Sequence, residues 1–577
     1  MQRAVLGLCV SLAACTPLAA DSDEPDEPVT SVTVAPRGTP YALSPWRWIA
    51  ITAPHLAPSI GALGISGLDV AAGRAEAPLR VLGEGTAPPD WPFALDEGLR
   101  APALPAATAD ERVAVGYGIT TFSLGDGDRG VEMLELRVRY TDGLIAWING
   151  VPVARRSLGV ELAPTSLALR PHGPEWETFY IPVVPSLLRA GVNTLAIEVH
   201  PSARNDAPAL AAELYGRSDR GILRGPIVAA VGATTARIAV ETDLNTDASI
   251  EWGVGGALDQ KAASPPGHHH SFELANLPVK GVVRYRVRGG ATQSPIYAFH
   301  TAPAAGDVIR IGIYGDVRGG HAVHKKLVDQ MLAEPLDLVA VTGDMVLHGS
   351  DEADWQRFFT ITAPLVAQVP YLPAVGNHDL GWDGADTARN ANEVFTLPPG
   401  PPDRPAGTNW YSLDVGDVHL VFLDSNAYER PEQETWLAAD LVAARARGVR
   451  AIIAFTHDGP YSRGYHRGNG IARQRYVPIL VQHHVDYVFS GHDHLYQRGE
   501  AGGLRYAVTG GGGASLYGFS CGVSGKPACK LDDGMIAIAR EHHYAVLTLT
   551  AKTLELCVRK PDGRLLEPCS RAPLWRP

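Results

Sequence analysis

Past Pro303 the chain changes its hydrophobic rhythm, and this change constrains the fold more than any other feature. Upstream, short alternating strands are broken by Gly, Pro and Asp. Downstream, strand-like apolar runs alternate with helical stretches: Val308–Tyr314, Ala322–Leu332, Leu338–Val341, Asp354–Phe359, Val418–Leu423, Glu432–Arg445, Ala451–Phe455, Ile471–His483 and Val485–Phe489. Such alternation predicts an α/β domain. Five strand ends carry a short polar cluster: Gly315-Asp316, Gly343-Asp344, Gly376-Asn377-His378-Asp379, Thr456-His457 and Gly491-His492-Asp493-His494. Loops beyond the carboxyl ends of strands in such a sheet share one rim, so clusters far apart in sequence can converge. Carboxylate, amide oxygen and imidazole without thiol suit Fe, Mn or Zn. A lone Gly-Asp is an ordinary turn and a lone Gly-His-x-His is often incidental. The weight comes from five clusters in order, each closing a strand.

This series resembles the calcineurin-like metallophosphoesterases, and within them the purple acid phosphatases, over roughly Val308 to Gly513. The resemblance implies an αββα sandwich holding two metal ions. Asp316 and His494 then correspond to ligands of the first metal, Asp344 to the carboxylate bridging both, and Asn377, His457 and His492 to ligands of the second. Two divalent cations against two carboxylates leave surplus positive charge. That surplus attracts a phosphoryl group and generates hydroxide from bound water for in-line attack on phosphorus. The reaction expected is hydrolysis of a phosphoric ester, with a diester of a nucleotide or lipid head group as the alternative to a monoester. His378 is expected to contact phosphate or protonate the leaving alkoxide, against a purely structural role. His466 is a candidate substrate contact or an ordinary surface histidine. Asp379 either orients His378 or holds local structure.

Two positions depart from the family pattern. A tyrosine ligand stands three residues after the bridging aspartate in the purple enzymes, and here that residue is Leu347. Other branches place histidine two residues after the first aspartate, and here it is Arg318. The expectation is an open first-metal position, no tyrosinate colour, and an Arg318 that either grips a substrate phosphate through its planar fork or forms a salt bridge at the rim. His321, His324, His348, His483 and His484 are expected on helix or loop surface.

The upstream half reads as two all-β sandwich domains. Residues 36–218 contain Tyr140-Thr-Asp-Gly, a Trp147-Ile-Asn-Gly hairpin signal and Val192-Asn-Thr-Leu-Ala-Ile-Glu-Val-His200. They resemble galactose-binding-like jelly rolls, which implies either a glycan site or a spacer. Residues 219–303 resemble the fibronectin type III-like domain preceding the catalytic domain of purple acid phosphatases, with His268-His269-His270 in an expected exposed loop. The phosphoesterase domain is assigned residues 304–577.

Residues 1–14 have a basic start and an apolar run too short to span a bilayer, reading as a signal peptide. Leu12-Ala-Ala-Cys15 resembles a bacterial lipobox, implying a cell-surface or outer-membrane lipoprotein attached through Cys15; simple secretion is the alternative. Residues 15–35 are an acidic, proline-rich tether. A net charge of −12 argues against a nucleic-acid-binding surface. Cys521, Cys529, Cys557 and Cys569 allow three pairings, of which Cys521–Cys529 and Cys557–Cys569 are favoured because Pro561-Asp562-Gly563 signals a hairpin between the last two. Disulfides fit an oxidising compartment; a zinc site lacks tight Cys-x-x-Cys spacing.

Overall fold

The computed structural model describes the chain from Thr39 to Trp575 apart from several stretches, the longest being 54–80, 83–111, 159–166, 202–209 and 381–407 without Phe395. The signal peptide, Cys15, the tether and His348 lie outside the described residues. Among the described residues, no helix is long and apolar enough to cross a membrane.

The C-terminal half is built on two facing sheets. The first has strand order β3–β2–β1–β11–β12–β13, where β1 is Ile309–Tyr314, β2 Leu338–Val341, β3 Tyr371–Pro373, β11 Tyr544–Leu549, β12 Thr553–Arg559 and β13 Ser570–Pro573. The second has order β4–β5–β6–β7–β9–β8–β10, where β4 is Tyr411–Val415, β5 Val418–Phe422, β6 Ala451–Phe455, β7 Tyr487–Ser490, β8 Tyr496–Ala501, β9 Leu504–Thr509 and β10 Met535–Ala539. Strands β1, β2 and β3 pair in parallel, as do β5, β6, β7 and β9. Strands buried on both faces read as continuous apolar runs, which is why LVAV and AIIAF carry no alternation.

Ile311, Ile313, Leu338 and Ala340 share one core with Leu420, Phe422, Ile453 and Phe455 of the facing sheet. Helices α1 (His321–Leu332) and α2 (Glu352–Val366) cover the outer face of the first sheet with Leu327, Met331, Trp355 and Phe358. Helices α3 (Pro431–Ala446) and α4 (Val477–Gln482) cover the second with Leu437, Leu441 and Leu480. The layers are therefore αββα, as expected. The helix read over Ile471–His483 opens instead with a π turn, Ala472–Tyr476, ahead of Pro478. A proline has no N–H to continue the ordinary ladder.

Both upstream units are all-β. Strands 133–140, 175–182 and 210–217 form one sheet and strands 47–53, 112–124, 143–148, 151–156 and 191–200 another, with Leu136, Leu144, Leu195 and Leu214 in one common core. The hairpin at Asn149-Gly150 has positive φ at both residues (51° and 85°), as a type I′ turn requires. In the next unit the long strand Ala236–Val254 pairs with three neighbours. The Tyr285 hydroxyl of this unit donates to the carbonyl of Ala367, just past α2, at 2.7 Å.

Some expectations are corrected here. His268, His269 and His270 lie within the strand Gln260–Leu274, not in a loop. His270 is buried between the hydroxyls of Thr242 and Ser264, each 2.9 Å away, because alternation along the strand turns it inward. His321 and His324 are buried rather than exposed. The core-facing stripe of α1 carries His324 to the Tyr314 hydroxyl at 3.1 Å, with its ring stacked on Phe358. Both favoured disulfides form, with Cα separations of 4.9 Å for Cys521–Cys529 and 4.4 Å for Cys557–Cys569.

Candidate metal centre

Each cluster follows a strand of the two sheets, and the backbone there is bent to aim the side chains inward. Asp316 after β1, Asp344 after β2 and His492 after β7 all have positive φ (57°, 54° and 68°). Non-glycine residues adopt that conformation only where surrounding contacts hold them, and such outliers concentrate at functional sites. Glycines before the ligands permit the crowding. A Cβ at Gly491 would stand 2.2 Å from Oδ2 of Asp316, and one at Gly376 would stand 2.1 Å from Oδ1 of Asp344.

Three acceptor atoms crowd around Nε2 of His457. Oδ1 of Asn377 lies 3.0 Å away, Nδ1 of His492 3.1 Å and Oδ1 of Asp344 3.2 Å. Nδ1 of His457 donates to the carbonyl of Thr342 at 2.8 Å, which turns Nε2 toward this group. Ligand-atom spacings of about 3 Å are those found around a bound cation. A second group shares Asp344: the ligand atoms of Asp316, Asp344 and His494 lie within 4.8 Å of one another. His494 is oriented the same way, with Nδ1 2.7 Å from the carbonyl of Ser515. Imidazoles fixed through their second nitrogen are typical of metal ligands. The donor set therefore fits a cation at the Asp344–Asn377–His457–His492 position. It fits less well at the other, where three protein donors share the space with a guanidinium.

That guanidinium belongs to Arg318. Its Nε donates to Oδ2 of Asp344 at 3.1 Å, and its Nη2 lies 3.3 Å from Nε2 of His494 and 3.3 Å from the Tyr517 hydroxyl. Arg318 is buried among these residues, so its ion pair with Asp344 lies inside the cluster and not at the rim. The local field is strongly polarised. Burial opposes charge on His457, yet Asp344 and Asp316 together raise it to about 10. Burial likewise works against ionised Asp344, but His457, His378 and Arg318 hold its carboxyl well below the usual range. Burial pushes Asp316 up, and it pushes His492 down with the help of His457.

The remaining sequence candidates are close by. The backbone N–H of His378 donates to Oδ1 of Asp344 at 3.1 Å, and its Nδ1 donates to the carbonyl of Leu347 at 2.8 Å. His466 stacks on His492 with ring centroids 3.8 Å apart, and its backbone N–H donates to Asp493 at 3.0 Å. Asp379 does not orient His378: its carboxylate accepts N–H groups from Gly376, Asp344 and Met345. Sequence reasoning missed Tyr517, which stacks on His494 with centroids 3.9 Å apart. No local motif marks it, since it sits in an irregular segment after β9.

The sequence model of the calcineurin-like phosphoesterase family matches residues 309–496. Purple acid phosphatase 22 of Arabidopsis thaliana is 26% identical over 238 residues, covering 40% of this chain and 54% of that protein. A probable inactive purple acid phosphatase 27 of the same plant is 23% identical over 344 residues, 50% of this chain and 54% of its own. The chain thus spans about half the length of these curated relatives. The solved purple acid phosphatase PPD1 of yellow lupin superposes with a TM-score of 0.53 at 16% identity, over 79% of this chain and 93% of that one, a likeness of fold. Residues 309–496 therefore form a domain that matches the calcineurin-like phosphoesterase model, with purple acid phosphatases among its sequence relatives.

Proposed function

We propose that this chain is a metal-dependent phosphoric ester hydrolase acting outside the cytoplasm on a phosphorylated small molecule. The observation that carries the reading is the shared carboxylate: Asp344 belongs to both ligand groups and is fully buried between them. Fe, Mn or Zn bound there would supply Lewis acidity toward the phosphoryl oxygens and would acidify a bound water. The chain's own residues then divide the work. Asp344 and Asp316 set the field, and His457 and His494 are held in register by Thr342 and Ser515. His378, whose Nδ1 is committed to Leu347, carries its second proton site on Nε2 and gives that proton to the departing alkoxide as the P–O bond breaks. This reading assigns phosphoryl contact to Arg318, which lies among the ligand residues, and to His466, which stacks on His492. Two disulfides support an oxidising compartment; membrane attachment through Cys15 is part of the same reading.

The test is turnover of an aryl phosphomonoester and a diaryl phosphodiester by protein loaded with Mn, Fe or Zn, with Asp344→Asn and His457→Ala as controls. Metal-dependent cleavage of the monoester, lost in both variants, is expected. Preferential cleavage of the diester would redirect the assignment to a phosphodiesterase. Turnover on neither, with glycan binding by the full chain on an array, would favour a surface-binding protein with an inactive hydrolase domain.

A further inference from the structure

We propose that Arg318 makes the two cation positions unequal, its guanidinium competing with a cation for the position formed by Asp316, Asp344 and His494. The inference rests on the metal-dependent reading above and concerns how many cations the site holds under scarce metal. Nδ1 of His494 is committed to the Ser515 carbonyl, so Nε2 presents its lone pair, and that lone pair faces Nη2 of Arg318 at 3.3 Å. One lone pair cannot serve a hydrogen-bond donor and a cation together. Oδ2 of Asp344 is engaged in the same way by Nε of Arg318 at 3.1 Å, whereas Oδ1 of Asp344 faces His457 of the other group. The two oxygens of one carboxylate are thus split, one toward the guanidinium and one toward the cation position.

The guanidinium is held in place from both sides. Tyr517 lies parallel to the His494 ring, at 15°, and its hydroxyl accepts from Nη2 of Arg318. The backbone N–H of Tyr517 in turn donates to the His494 carbonyl at 3.0 Å. The segment carrying Ser515 and Tyr517 therefore fixes both the ligand and its competitor. Charge does not demand a second divalent ion. One divalent cation and the guanidinium already exceed the two carboxylates by one positive charge, enough to attract a phosphoryl group. A guanidinium also matches phosphoryl oxygens in geometry once substrate draws it from Asp344.

The test is equilibrium dialysis of the metal-stripped full chain against MnCl2, with bound manganese counted by mass spectrometry. Wild type should bind one Mn2+ tightly and a second roughly 100-fold more weakly, the range by which groups beside a metal tune affinity. Arg318→Ala should bring the two affinities within about tenfold, Arg318→Lys should keep most of the gap, and Tyr517→Phe should narrow it about threefold. Thermal melts in EDTA check that each variant is folded, and Tyr517→Phe carries the test if Arg318→Ala is not. Two equal tight sites in wild type, or an unchanged gap in Arg318→Ala or in Tyr517→Phe, overturn the inference while leaving the hydrolase reading intact. No bound Mn2+ at millimolar concentration overturns both.

Discussion

Oδ2 of Asp379 accepts the backbone N–H of Asp344 at 3.0 Å, so a carboxylate with no place in the ligand set dictates where the shared carboxylate stands. Asp379 also accepts from Met345 and Gly376, each at 2.8 Å, tying the turns after β2 and β3 together. Each such bond to a buried charge is worth about 1.5–3 kcal/mol. Asp379→Ala should therefore lower the unfolding free energy by roughly 3 kcal/mol or more and weaken Mn2+ binding by about 10–100-fold. Denaturant melts and metal titration check this, and an unchanged metal affinity would rule out the positioning role.

Gly491→Ala places a methyl group against Oδ2 of Asp316, where only 2.2 Å is free. Asp316 cannot retreat without leaving its contacts with the His492 N–H at 2.9 and 3.1 Å. Overpacking of this kind costs about 1–3 kcal/mol. Metal content should fall more sharply than the melting temperature. Normal metal content in a folded Gly491→Ala protein would contradict the crowding.

His419 is buried with Nδ1 2.6 Å from Asp414 and Nε2 2.8 Å from Asp440. Burial disfavours its charged form, but the two carboxylates outweigh burial and raise its pKa. A raised folded pKa means the imidazolium stabilises fully below the unfolded value near 6.5, and this contribution is lost as pH rises through the folded pKa. Urea melts of wild type and His419→Gln should therefore differ most at about pH 6, and the gap should shrink toward alkaline pH. A gap that widens with pH would reverse the sign and refute the account.

The Cys557–Cys569 bridge closes a 12-residue separation between β12 and the start of β13, at the outer edge of the first sheet. Loops of this size yield about 3 kcal/mol when cross-linked. Cys557→Ser with Cys569→Ser should lower stability by about that amount, and reductant should then lose its effect at this bridge. Neither cysteine belongs to the candidate ligand groups that share Asp344, so metal-dependent turnover at low temperature should persist.

The element pattern of the C-terminal half is legible because periodicity and turn chemistry are local: Leu338–Val341 and Ala451–Phe455 need only their own residues to read as buried strands. The ligand clusters are legible for the same reason, since strand, glycine and ligand are consecutive. The buried faces of His270 and His324 were not, because a histidine carries no mark of whether a hydroxyl will meet it. Sequence alone determined that aspartate, asparagine and histidine would converge at the strand ends of an α/β sandwich. Only the tertiary structure decided what stands among them: Arg318 reaches His494 and Tyr517 across 176 and 199 residues. Which charge fills a buried position depends on what the fold packs around it, and no local spacing encodes that.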